Sequence, residues 1–258
     1  DEGKDNKMKN WTIFAAAVFF AQISWAADMP AVLQWSQRVE LSAPVSGVVQ
    51  SVNVDVGDRV GKGQVLLSLD GAIYRAKVAE MNAAIIRLVA EAAEAKRDFE
   101  RVQELHARTV VATAELDLAR LRLTRTESLL AEARASLRQH QKVLDDTTLR
   151  APFDALVVGR QVEPGMNVAA GLQPQILLIL ARSGEMLARL YLSAAQIEKL
   201  QIGQAVPVVA GGQSHAGKVK TLGMEPVKLK DETGYQLDVS FPSREQLRAG
   251  ATAVVKLP

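Results

Sequence analysis

The chain has 258 residues, of which 48% are hydrophobic, and its 31 Lys and Arg nearly balance 29 Asp and Glu for a net charge of +2. A chain this long and this apolar buries one or two small cores, and with no basic tract standing apart from acidic neighbours it offers nucleic acid no footprint. The absence of cysteine excludes disulfides, thiolate catalysis and cysteine-bound zinc or iron-sulfur clusters.

Near the N-terminus, Met8, Lys9 and Asn10 form a short positive region. An apolar run follows from Trp11 to Ala21, and Ser24-Trp25-Ala26 puts small residues at the two positions a signal peptidase reads. This order predicts an exported protein whose residues 1–26 comprise a cleaved signal peptide with an upstream extension, DEGKDNK, and whose mature chain starts near Ala27. The apolar run is about eleven residues, too short to cross a hydrocarbon core of roughly 30 Å as a helix, so an uncleaved anchor is the weaker reading. With no cysteine at the cleavage site, lipid attachment there is excluded.

The segment from Leu41 to Gly63 then matches the segment from Leu149 to Gly171 without a gap. Leu41, Ala43, Pro44, Val49, Val54, Gly57, Val60 and Gly63 recur as Leu149, Ala151, Pro152, Val157, Val162, Gly165, Val168 and Gly171. Each copy has short Val-rich stretches broken by Gly, as expected for strands turned by residues that tolerate positive φ. Each then ends in an apolar strand, Val65 to Leu69 or Ile176 to Leu180. Residues 41–71 and 149–182 are therefore two half-units, each too small to bury its own face, that pair into one β-sandwich.

Residues 72–148 separate the halves and, with no Pro or Gly and many Ala, Leu, Glu, Arg and Lys, read as helix. Val78, Met81, Ile85, Leu88, Ala92, Ala95, Phe99 and Val102 step by three and four, a heptad seam. Leu116, Leu123, Leu130, Leu137 and Leu144 form a second seam, with Ala119, Thr126, Ala133 and His140 in its companion positions. Between them the β-branched cluster Thr109-Val110-Val111-Ala112-Thr113 breaks the helix, and Glu115 and Asp117 suit the N-terminus that follows. Two arms of nearly equal length predict an antiparallel coiled-coil hairpin, each arm of about 35 residues reaching roughly 50 Å. From residue 183 the pattern changes to alternating strands around a Ser193-Ala-Ala-Gln196 capping box and a Gly211-Gly212 turn. Residues 183–258 read as a small β-barrel, joined by residues 27–40.

These stretches resemble a known family. APVSGVV from Ala43, GDRVGKGQVLLSLD from Gly57, LDDTTLRAPFDALV from Leu144 and LRAGATAVVKL near the end are similar, in that order, to motifs of HlyD-type membrane fusion proteins, the periplasmic adaptor subunits of tripartite efflux systems. The resemblance implies an α+β fold: a split lipoyl-like sandwich carrying the hairpin, followed by the barrel. It further implies a periplasmic protein held at the inner membrane by a transporter, of the RND type with an ABC-type exporter as the alternative, and docked on a TolC-type outer-membrane channel. Self-assembly into a ring or tube, a hexamer by the same resemblance, is expected too. The family's tip pattern of Arg, Leu and Ser falls on Arg101, Leu105 and Ala112, the last a departure with Thr113 beside it. The expected docking residues are therefore Arg101, Leu105, Thr109 and Thr113. The family's membrane-proximal domain is expected to be missing, which leaves transporter contact to the barrel.

Catalysis and cofactors are not expected. A biotin or lipoate carrier would bear its lysine on the turn between the half-motifs, where this chain inserts the helices; Lys62 sits on another turn and reads as solvated. Gly61-Lys62-Gly63 lacks the Ser or Thr and the helix of a phosphate loop. His106, His140 and His215 have no partner at metal-ligand spacing, and no GxSxG elbow occurs. A periplasmic coiled-coil scaffold unconnected with transport is the remaining rival.

Overall fold

The computed structural model describes residues 27–171, 173–229, 232–243 and 247–258. The signal-peptide expectation lies outside the described residues. Strand β1 (Ala27–Trp35) belongs to a barrel that the chain leaves and re-enters only after the sandwich and hairpin are complete.

The first repeat, with the three residues before it, supplies β2 (Arg38–Leu41), β3 (Gly47–Val52), β4 (Arg59–Val60) and β5 (Val65–Leu69). The second supplies β6 (Thr148–Arg150), β7 (Ala155–Arg160), β8 (Asn167–Val168) and β9 (Leu178–Arg182). They make two four-stranded sheets, β2-β9-β7-β4 and β6-β5-β3-β8, each drawing strands from both copies. The copies interlock as near-equivalents: Gly57 N–H donates to the Val157 carbonyl and Gly165 N–H to the Val49 carbonyl, both at 2.8 Å. Both glycines have left-handed backbones, φ 99° and 87°, which side chains resist. The repeated apolar identities Ala43, Val49, Val54 and Val60 and their counterparts Ala151, Val157, Val162 and Val168 all lie in the core. Neither half could enclose these residues alone.

After β5 the chain enters α1 (Ala72–Ala107), which α2 (Thr113–Asp145) follows back antiparallel. Asp70 Oδ1 accepts the Ala72 N–H at 2.9 Å, and at Gly71 a Cβ would lie 3.3 Å from Leu144 Cδ1 and 3.4 Å from Thr147 Oγ1. A glycine therefore lets the second helix return close beside the start of the first. The hairpin base is tied to the sandwich by the Tyr74 hydroxyl, which donates to the Ser46 carbonyl at 2.7 Å.

The remaining elements are β10 (Glu185–Leu192), α3 (Ala194–Ile197), β11 (Ala205–Ala210), β12 (Gln213–Leu229), β13 (Glu232–Pro242) and β14 (Thr252–Leu257). With β1 they close a barrel in the order β1-β10-β13-β12-β11-β14, filled by Leu33, Ala188, Leu237, Val239, Phe241 and Val255 among others. Gly211 and Gly212, at φ 59° and 79°, make the tight turn between β11 and β12 that matches the strand twist. One expectation is corrected. Residues 27–40 do not act together: Ala27–Trp35 is barrel, whereas Arg38–Leu41 pairs with β9 in the sandwich. Strand β12 extends to Leu229, where β13 pairs with it through two register shifts.

Ser183 links β9 to the barrel, and both its N–H and its hydroxyl reach the Asp154 carbonyl, at 3.1 and 3.0 Å. Because Leu41 pairs with Leu178 and Arg38 with Ala181, the loop holding Ser46 lies at the end of its sheet away from this link. Hairpin and barrel therefore leave opposite ends of the sandwich.

Candidate functional site: the hairpin and its apex

Every residue expected in the seam is at least half-buried, but few are enclosed. Val78, Ile85, Phe99, Leu116, Leu123, Leu130, Leu137 and Leu144 are half-buried, while Leu88, together with Val102 and Ala119 from the same seams, is buried. Two helices cover one stripe of each other and leave its edges to solvent, whereas a bundle would cover both. His140 is half-buried in a seam position. The outer faces carry Ile86 at 73% exposure and Leu121 at 63%, with Ala79, Ala83, Ala90 and Ala93 exposed beside Ile86. Ion pairs one turn apart clothe the rest: Lys77 with Glu80, Arg87 with Glu91, Arg97 with Glu94 and Arg108 with Glu104. Each is worth about 0.3–0.5 kcal/mol at most, so the seam dominates.

Helix α1 ends in a turn of defined form. The Val110 N–H donates to the Leu105 carbonyl at 3.0 Å and the Thr109 N–H to the His106 carbonyl at 2.9 Å, the Schellman pattern. The left-handed position of that pattern, normally glycine, is Thr109 at φ 59°, the one non-glycine with positive φ among the described residues. Thr109 is exposed, and Val110 beside it is 66% exposed.

The four expected docking residues do not form one cluster. Arg101 lies six residues before the end of α1, roughly 9 Å below the apex, where its exposed guanidinium pairs with Asp98. Asp98 also receives Arg122 from α2 at 3.8 Å. Leu105 is half-buried and continues the seam. Thr109 sits at the apex itself, and Thr113 opens α2, its hydroxyl 3.3 Å from His106 Nε2. His106 and Val110 also stand at the apex and are not among the expected docking residues. The β-branched cluster is the signal for Val110; nothing in the spacing points to His106.

The barrel wall carries a partly buried ion pair. Arg189 makes two hydrogen bonds to the buried Asp238 carboxylate, at 2.7 and 3.0 Å, which hold its guanidinium above the ordinary arginine value against an opposing effect of burial. Gln236 donates to the same carboxylate at 2.8 Å. The pair sits on the barrel wall and reads as structural. No group of three or more His, Asp or Glu among the described residues could hold a metal ion. None of the described helices is long and apolar enough to cross a membrane.

A hairpin carried on a two-sheet sandwich, with a closed barrel at the far end, defines the architecture of membrane fusion proteins. Residues 37–173 match the CzcB-like barrel-sandwich hybrid domain, and the chain belongs to that family. It is similar to the macrolide export protein MacA of Yersinia pestis, with 28% identity covering 86% of this chain and 64% of that protein. The pyoverdine export membrane fusion protein PvdR of Pseudomonas putida is 28% identical over 78% of this chain and 55% of its own length. The chain thus spans somewhat under two thirds of these relatives. Among solved structures, the membrane fusion protein Spr0693 from Streptococcus pneumoniae R6 shares the fold with a TM-score of 0.69 at 16% identity, covering 90% of this chain and 99% of that one.

Proposed function

We propose that this chain is a periplasmic adaptor of an efflux system, joining an inner-membrane transporter to a TolC-type outer-membrane channel, with the hairpin apex as the docking end. The observation that carries this reading is the separation of the two working ends. Two helices of 36 and 33 residues project roughly 50 Å from one end of the sandwich, and the barrel leaves the other. A projection that long is useful for reaching a distant target, and relatives named for macrolide and pyoverdine export suit such a role. Several copies around one channel would turn a modest affinity per tip into a firm joint by avidity.

Thr109 and Thr113 supply apex hydroxyls in this proposal. Arg101 and Leu105 lie lower, on the flank. The Arg101 ion pair with Asp98 is exposed and worth well under about 1 kcal/mol, so a channel carboxylate or carbonyl could replace it. Cysteine introduced at Thr109 should crosslink to the outer-membrane channel in cells, whereas cysteine at Lys77, near the base, should not. Arg101→Asp should leave folding intact and lower export, and Leu105→Asp should lower export while the sandwich and barrel stay folded. Crosslinks that appear only from the barrel, with export normal in both variants, would overturn the docking assignment. The transporter is proposed to be of the RND type, with the ABC type as alternative; co-purification of an ABC exporter with the chain would decide for the latter.

A further inference from the structure

Among the described residues, the chain passes between barrel and sandwich twice, at Ser36-Gln37 and at Ser183-Gly184. A cavity of ≈ 350 Å³ lies at this junction, the size of a small-molecule site. Its sandwich wall is Arg59, Leu156 and Arg182, and its barrel wall includes Trp35, Met186 and Leu247. One aromatic and three aliphatic or thioether side chains thus meet two guanidinium groups, with the Ser183 and Ser243 residues between them.

Glu185, the acidic residue among the described lining, has Lys220 within 3.4 Å. Arg182 is held rigidly: its Nε and Nη2 donate to Gln37 Oε1 at 3.0 and 2.7 Å, and its guanidinium lies 4.9 Å from the Phe153 ring centre. Arg59 is exposed and stands opposite Leu156 in the β4–β7 pairing. A guanidinium has five N–H donors, so Arg182 can take up an acidic group while keeping its bonds to Gln37. We propose that this cleft binds a small anionic amphiphile, a molecule with an aromatic or aliphatic body and one acidic group. The body would lie on Trp35, Leu156 and Leu247, and the acid would meet Arg59 and Arg182.

Such a ligand would touch both walls. It would therefore fix the angle between the sandwich, which carries the hairpin, and the barrel. The inference is independent of what the hairpin apex meets.

Trp35 lines the cleft, and the other two tryptophans are Trp11 and Trp25. In the full chain carrying Trp11→Phe and Trp25→Phe, Trp35 is the sole indole and reports on the cleft. Titration with 8-anilinonaphthalene-1-sulfonate should quench Trp35 emission saturably, with one site per chain. Arg59→Glu should weaken that binding by roughly tenfold, the scale of a charge-assisted contact, and neutral 1-aminonaphthalene should bind the parent chain more weakly to a similar degree. Leu247→Ser should also weaken the probe, whereas Lys62→Glu, on a turn outside the cleft lining, should not. Quenching that fails to saturate, or equal affinities in Arg59→Glu and Lys62→Glu, would overturn the assignment.

Discussion

Leu66 in the sandwich is fully buried, whereas Leu130, at an equally regular position of the hairpin seam, is half-buried. Both are leucines placed by a clear sequence pattern. The difference is the number of layers. Leu66 lies between two sheets woven from both repeats, while Leu130 is covered by one helix and open at the edges. Periodicity therefore tells which side of an element faces inward, and the architecture around it decides how much that side is worth. The same contrast explains how one chain combines a rigid body with an arm whose flanks remain available to neighbours.

Leu66→Ala should give the largest loss, about 3–5 kcal/mol, because the site is enclosed and the cavity cannot fill; a denaturant melt reads it directly. Gly217→Ala in the barrel should follow at about 1–3 kcal/mol, since the new Cβ would stand 2.6 Å from the Val206 carbonyl oxygen and 2.7 Å from Val239 Cγ1. Leu130→Ala should cost only about 1–2 kcal/mol, the transfer free energy of a half-covered leucine, and should appear as lost helical ellipticity while the β-structure melts unchanged. If Leu130→Ala costs as much as Leu66→Ala, a further layer covers the seam in solution and the comparison fails.

The fold class was legible because the repeat is a packing pattern: the same small and branched residues recur where two interlocked halves need them buried. Gly57 and Gly165 were legible for a similar reason, each serving a left-handed turn that the other copy duplicates. The length of β12 was not. Its second half carries Gly223, Pro226 and an exposed Met224, so no alternation marks it, and pairing with β13 alone extends it. The cleft was invisible for a topological reason, since Trp35, Arg59, Leu156 and Leu247 are brought together only when the chain crosses twice between its two bodies. At the apex the β-branched cluster marked the break between helices and hid the turn's form, which sequence rules associate with glycine.

Thr109 supplies the smallest and most local test. A β-branched residue in the left-handed region is strained by about 1–2 kcal/mol, and here it holds the position from which the Schellman bonds to Leu105 and His106 are made. Glycine adopts that backbone freely but loses more entropy on folding, roughly 0.5–1 kcal/mol. Thr109→Gly should therefore leave the hairpin as stable or more stable by up to about 1 kcal/mol, with no change in the sandwich or barrel. Thr109→Ala keeps the Cβ and removes only the branch, so it should fall between the two. A stability order of Gly at or above Ala, and Ala above Thr, in the helical melt would establish that the apex turn is left-handed in solution. A Thr109→Gly variant markedly less stable than the parent would mean that the turn is held by the threonine side chain and not by the backbone pattern.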